Sequence, residues 1–350
     1  MNTRKHILIT GYPAITAQIS GRFFLKSGMT VTVMMSEIKY DPLLRSLKKQ
    51  YPGRLNIIKG NQSYIDFGVK GEDYNFLLKD IDYVLAAHRL LQSDMEDFYK
   101  SETREIVEFG LASEKKVKII YFSPITVSGN SEGIYCEKDL YEGQKLESDI
   151  DRGCMYAERI LDKFKEQIRS VVIRTSIPLS DQEDFFPFIE YLISRSERFF
   201  RHHQKPVIFT KVELVEAFLK AAVVNDKLDF SANTSRTFHL YNVSELKSGQ
   251  LAKKATESAS KMISPFFDIK KAAKIYLEQG DYEINDLNID KLLTLFDYEN
   301  GVISNLWSNN YLSSIFDKKE AVFLDNKFNW NGMIESAIEK LTEFRHDGRI

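Results

Sequence analysis

The chain has 350 residues, enough for a nucleotide-binding domain and a smaller second lobe. Its 48 Lys and Arg against 50 Asp and Glu give a net charge of −2, with the basic residues spread along the sequence. That excludes general attraction to nucleic acid or an anionic membrane, and no apolar run approaches the roughly 18 residues of a spanning helix.

The opening stretch, MNTRKHILIT, passes from a short basic start into a strand at 6–10, so no signal peptide is expected. A tight turn at Thr10-Gly11 follows. Ile19, Phe23 and Phe24 then recur at helical spacing between Gln18 and Lys26, and Gly28 stops that helix. Further short apolar runs predict strands at 30–35, 54–60, 82–87, 118–123 and 170–175, with helices over 93–112 and 149–168. Strands of this kind joined by helices predict an α/β fold, a Rossmann-like doubly wound parallel sheet, over residues 1–175. Right-handed crossovers are the default between such strands.

The pattern changes after Thr175. DFFPFIEYLISRSERFF reads as an aromatic-rich helix, and PVIFTKVELVEAFLKAAV joins a short strand to a helix. TFHLYNVS (237–244) reads as one more strand, so 206–244 is expected to return to the sheet. From Glu245 the chain is mostly helical, which makes 176–350 a smaller, mostly helical substrate-binding lobe. The 24 Phe and 17 Tyr of the chain predict a well-filled second core there.

The two cysteines, Cys136 and Cys154, fit a reducing, cytoplasmic setting. His202 and His203 are adjacent and face apart in a helix or strand, and no cluster completes a zinc site, so no metal is expected.

A strand, a turn at Gly11 and a helix form the opening unit of a dinucleotide-binding Rossmann fold. The glycine spacing G-x-x-G-x-x-G here reads Gly11, Ala14, Ala17, with Pro13 inside it. Gly11 keeps the sharp turn. The methyl of Ala14 stands where the backbone would approach a pyrophosphate, and Pro13 offers no N–H to a phosphate. Glu37 follows the second strand. It reads either as the acid that binds a ribose diol, favouring NAD over NADP, or as a solvated loop acid.

Seven stretches, in order, resemble the extended short-chain dehydrogenase/reductases, the superfamily of nucleotide-sugar epimerases, dehydratases and related reductases. LITGYPAITAQIS resembles that family's VTGATGFIGSHL, IIKGN (57–61) its VVEGD, and YVLAAH (83–88) its VFHLAA. IIYFSPITVSGN (119–130) resembles FVYVSSAAVYGD, MYAERIL (155–161) the KxxAExL helix, and VVIRTSIPLSD (171–181) VVILRPSNVYGP. Residues 315–344 resemble the family's terminal segment. The resemblance covers nearly the whole length. It implies an NAD or NADP site built from Thr10, Gly11, Ala14, Ile15, Glu37, Asn61, Ala86 and Ala87.

It also implies hydride transfer by a Tyr acid/base, a Lys four residues on, and a Ser or Thr that orients the substrate oxygen. Counting along this chain puts Pro124 at the Ser/Thr position, Ile150 at the Tyr and Cys154 at the Lys. None of the three can play the part. The rival Y-x-x-x-K pair is Tyr141 and Lys145, in YEGQK; it is either a displaced catalytic pair or an ordinary loop. Thr126 reads as a ligand-bonding or a structural hydroxyl; Tyr135 and Tyr156 are nearby hydroxyls, and His88 follows a strand at the cleft edge.

Three functions follow from the resemblance. The first is a homologue that keeps the fold without standard hydride transfer and binds a ligand or partner. The second is an active NAD(P)-dependent oxidoreductase or epimerase that uses non-standard groups such as Thr126, Tyr141 and Lys145. The third is a scaffold with an empty cleft. Helices 93–112 and 149–168 would form a homodimer contact in all three cases. The family count puts Cys154 and Ile150 toward the cleft, while on a helix covering the sheet Cys154 also reads as a small packed residue.

Overall fold

In the computed structural model, the uninterrupted apolar runs become the strands of one sheet. The structure describes residues 4–37, 41–87, 95–129, 135–140, 143–146, 149–176, 178–179, 206–228, 230, 236–262, 316, 319, 324 and 327–346. The strands are β1 (His6–Thr10), β2 (Thr30–Met35), β3 (Leu55–Lys59), β4 (Tyr83–Ala86), β5 (Lys118–Pro124), β6 (Arg169–Thr175), β7 (Pro178–Leu179), β8 (Pro206–Lys211), β9 (Arg236–Leu240) and β10 (Asn242–Lys247). The helices are α1 (Ile15–Lys26), α2 (Pro42–Gln50), α3 (Gly71–Asp80), α4 (Met95–Ala112), α5 (Asp149–Lys163), α6 (Val212–Leu219), α7 (Ser248–Met262) and α8 (Trp330–His346).

Seven strands pair in the order β3-β2-β1-β4-β5-β6-β9, and every pairing is parallel. Ile7, Leu8, Ile9, Val84, Leu85, Ile119, Ile120, Val171 and Ile173 are fully enclosed, as expected of strands covered on both faces. Leu8, Val84 and Tyr121 pack with Ile106 and Phe109 of α4 and Leu161 of α5 in one apolar cluster. The strand order reverses between β1 and β4. Such a reversal opens a crevice at the carboxyl ends of the strands, where ligands of doubly wound folds bind.

Residues 237–244, expected as one strand, are two strands in two sheets. β9 ends at Leu240, its last partner being Thr175 of β6. β10 begins at Asn242 and runs antiparallel to β8. Of the segment 206–244, only β9 adds to the parallel sheet; β8 joins β7 and β10 in a three-stranded sheet. Two compact units result. One holds Met1–Thr175, Val215–Leu240 and Ser304–Lys319, and the other Ser176–Leu214, Tyr241–Ile303 and Glu320–Ile350. In the second, Phe209, Phe328 and Trp330 form a ring cluster with centroids 4.6–5.2 Å apart. The aromatic helix expected at 184–200 lies outside the described residues. Among the described residues, no helix is long and apolar enough to cross a membrane.

Candidate functional site

The turn after β1 has the conformation its sequence requires. Gly11 has φ +76°, and a Cβ there would stand 1.8 Å from the carbonyl oxygen of Ala87. Only glycine fits both the left-handed backbone and this approach to the end of β4. Ala86 and Ala87 are fully buried at that point, and Thr10 lies beside them with its Oγ1 enclosed and unpartnered. Ile15 opens α1, and its first turn presents free N–H groups by the geometry of any helix start.

Around this turn the chain spends its own groups on itself. The Gly11 N–H donates to Gln62 Oε1 at 2.8 Å, and the Ala14 N–H donates back to the Gly11 carbonyl at 2.9 Å. Pro13 has no N–H. The ring of Tyr12 is 1% exposed, and its hydroxyl donates to Asp41 Oδ2 at 2.7 Å. The other carboxylate oxygen of Asp41 accepts from the Leu44 N–H at 2.8 Å and caps α2. Asn61 turns its Oδ1 onto Ser63, accepting from its N–H at 3.1 Å and from its hydroxyl at 2.8 Å. Glu37 is exposed.

These facts test whether a dinucleotide fits. The sharp turn at Gly11, the small Ala86 and Ala87 and the start of α1 fit a pyrophosphate. Two amide donors that a pyrophosphate would meet, those of Gly11 and Ala14, are already engaged within the chain, and on the adenosine side Tyr12 is nearly sealed and bonded to Asp41.

The second half of the crevice lies at the end of β5. Pro124 ends that strand, and the 3-10 turn 125–128 that follows is wholly buried. The Thr126 hydroxyl donates to the Asp151 carboxylate, a group of α5 that is also fully enclosed. Ser128 is buried with its Oγ unpartnered. Cys154, one turn beyond Asp151, packs against Tyr99 and Val127 with no exposure. It is therefore a small packed residue of the core, as one reading of its helix expected, and not the cleft-facing residue that the family count implied. Burial first, and then Asp151, Glu158 and Glu102, push its thiol pKa well above the ordinary range. Lys145 is exposed, on a stretch of 143–146 without regular structure. Tyr141 and His88, and the His202-His203 pair, lie outside the described residues, as does the side chain of Ile150.

Deeper at the same edge lies a charged network that sequence reading missed. Arg174 of β6 and Glu158 of α5 are 1% and 2% exposed and bonded through Nη2–Oε2 at 2.8 Å. Arg174 Nε donates to both carboxylate oxygens, at 3.2 and 3.3 Å, and Nη2 donates to the Asp139 carbonyl at 2.8 Å. The Ser123 hydroxyl donates to Glu158 Oε1 at 2.5 Å. Arg174 Nη1 lies 3.1 Å from His239 Nε2. A guanidinium only donates, so this nitrogen of His239 accepts. Tyr135 stacks on His239 and lies under the Arg174 guanidinium, 5.0 Å from its ring centre. Burial lowers the Arg174 pKa, but Glu158 and Tyr135 outweigh it and hold it above its usual value. The network joins β5, α5, β6 and β9 and fixes the edge on which any ligand would rest. The one sequence signal was Arg174, a charge inside the apolar run SVVIRT.

In the second unit, an open cavity of about 270 Å³ is lined by Leu246, Lys254, Lys327, Phe328, Trp330 and Asn331, among others.

No family model matches the sequence, and no curated protein matches it. Solved structures do. The reductase domain of a nonribosomal peptide synthetase from Mycobacterium tuberculosis is 13% identical, over 99% of this chain and 93% of that one, with a TM-score of 0.69. The terminal R domain of the myxalamid PKS-NRPS biosynthetic pathway is 13% identical over 100% and 93%, with a TM-score of 0.64. A UDP-galactose 4-epimerase is 13% identical over 97% and 99%, with a TM-score of 0.58. The chain shares the fold of these reductase domains and of this epimerase, a Rossmann-like α/β fold around a seven-stranded parallel sheet. Pro124 closes β5, and Cys154 is fully buried with a raised thiol pKa.

Proposed function

We propose that this protein uses the extended short-chain dehydrogenase/reductase fold to bind a small ligand or partner without standard Ser-Tyr-Lys hydride transfer. The observation that carries this reading is Cys154. A Lys at its position would bring a fixed positive charge to a nicotinamide ribose; a wholly buried thiol with a raised pKa brings none. Pro124 removes the hydroxyl that would orient a substrate oxygen. Two enclosed hydroxyls support a ligand: Thr10 Oγ1 at the end of β1 and Ser128 Oγ after β5. Leaving such atoms bare costs about 1–3 kcal/mol each, and a hydroxylated or anionic ligand along this edge would satisfy them. We further propose that the chain acts in the cytoplasm and pairs through α4 and α5 as a homodimer.

The second reading keeps NAD or NADP and an oxidoreductase or epimerase activity. One observation favours it: Thr126 and Asp151 form an enclosed hydroxyl–carboxylate pair beside the expected reaction centre. A bound nicotinamide would supply hydride; Asp151 would hold the Thr126 proton.

The two readings part on turnover. Incubation with NADH or NADPH and a panel of aldehydes, ketones and nucleotide sugars should leave the nicotinamide absorbance at background. Oxidation that disappears in Tyr141→Phe or Thr126→Val would overturn the first reading and establish the second.

A further inference from the structure

The strand order gives the Tyr12 and Gln62 contacts a meaning beyond local packing. β2 lies between β3 and β1. Gln62 belongs to the loop after β3, yet its side chain reaches the Gly11 N–H at the end of β1. That bond crosses the carboxyl end of β2. Tyr12, from the loop after β1, reaches Asp41 beyond β2. Two side chains therefore span the ground where a dinucleotide on a doubly wound sheet lays its adenosine ribose, since the acid that binds the ribose sits at the end of the second strand. Both are almost sealed, Tyr12 at 1% and Gln62 at 6% exposure. In the sequence pattern that this stretch resembles, VTGATGFIGSHL, the residue after the first glycine is alanine, which leaves that ground empty.

We infer that Tyr12 is a built-in occupant of the adenosine half of this cleft, held there by Asp41, and that it closes the site to adenine dinucleotides. Asp41 is suited to the holding role because it is fixed at its other oxygen by the α2 cap. Gln62 reinforces the closure by taking the Gly11 N–H that a pyrophosphate would otherwise meet. The inference is independent of whether the cleft performs chemistry, because its test reads binding and no turnover.

The test is calorimetric titration of the full chain and of Tyr12→Ala with NAD, NADP and AMP. Tyr12→Ala should bind NAD and AMP at least about tenfold more tightly than the wild type, with an unchanged circular dichroism spectrum. Tyr12→Phe keeps the ring but loses its tether, and should fall between the two. If Tyr12→Ala does not fold, Tyr12→Phe decides alone. Equal affinities in wild type and folded variants, a tighter wild type, or no binding by any of them would overturn the inference. Gained binding without turnover would leave the proposed function standing; gained binding with turnover would overturn that reading and keep this one.

Discussion

Burial decides what Cys154 can do. Its thiol is enclosed among Tyr99, Val127 and the carboxylates of Asp151 and Glu158, so the thiolate is strongly disfavoured. Cys136 is partly exposed. A thiol reagent should therefore modify Cys136 in the native protein and reach Cys154 only after denaturation; rapid native labelling of Cys154 would show that the site opens. Glu158 offers a second residue-scale prediction. Replacing it by Gln leaves the Arg174 guanidinium buried without its counter-charge, a loss of about 3–5 kcal/mol that a urea titration would measure. The packing of Cys154 was legible in the sequence because a small apolar residue on a helix that covers a sheet turns inward. Tyr12, Gln62 and Arg174 were not. Their partners lie 29, 51 and 16 residues away, and periodicity carries no information on side-chain bonds of that reach.

At the scale of elements, the six leading strands and helices α1, α4 and α5 were readable from apolar runs and helical spacing, whereas the short α2 and α3 were not called. The break at Tyr241 was not, because the run TFHLYNVS stays strand-like while its pairing passes from β6 to β8. The end of α5 at Lys163, short of the expected 168, reflects a set of turns at 164–167, where the Gln167 and Ile168 N–H groups both bond to the Phe164 carbonyl. Helix α2 shows the value of a cap. Asp41 precedes Pro42 and bonds the Leu44 N–H. Asp41→Ala should lower stability by about 1 kcal/mol through the lost cap, whereas Asp41→Asn, which still caps, should stay within error of wild type in the same melt.

At the scale of the whole molecule, stability should respond to alkali. Burial raises the Tyr83 pKa beyond any ordinary alkaline titration, with Asp226 adding to it, and burial raises that of Tyr121 well above 10. Tyr74 is pushed up to about 12, by burial and then by Asp66, Glu105 and Glu108. Each phenol keeps its proton longer folded than unfolded. The stabilising contribution is therefore complete below pH 10, the unfolded value, and is lost progressively from pH 10 to 12 and above. Urea midpoints that hold steady to about pH 9 and then fall would agree; a fall beginning near neutrality would not.

The fold itself was legible because so many short segments point to it in the same order. Around the cleft the structure shows a thiol sealed in the core, a turn whose Gly11 and Ala14 amides are spent internally, and a nearly sealed tyrosine tied to Asp41. The most direct measurement is a titration of the intact wild-type chain with NAD, NADH, NADP and NADPH, followed by calorimetry. The account predicts no saturable binding below about 1 mM for any of the four. Micromolar binding to the wild-type chain, with turnover that depends on Tyr141 or Lys145, would contradict it.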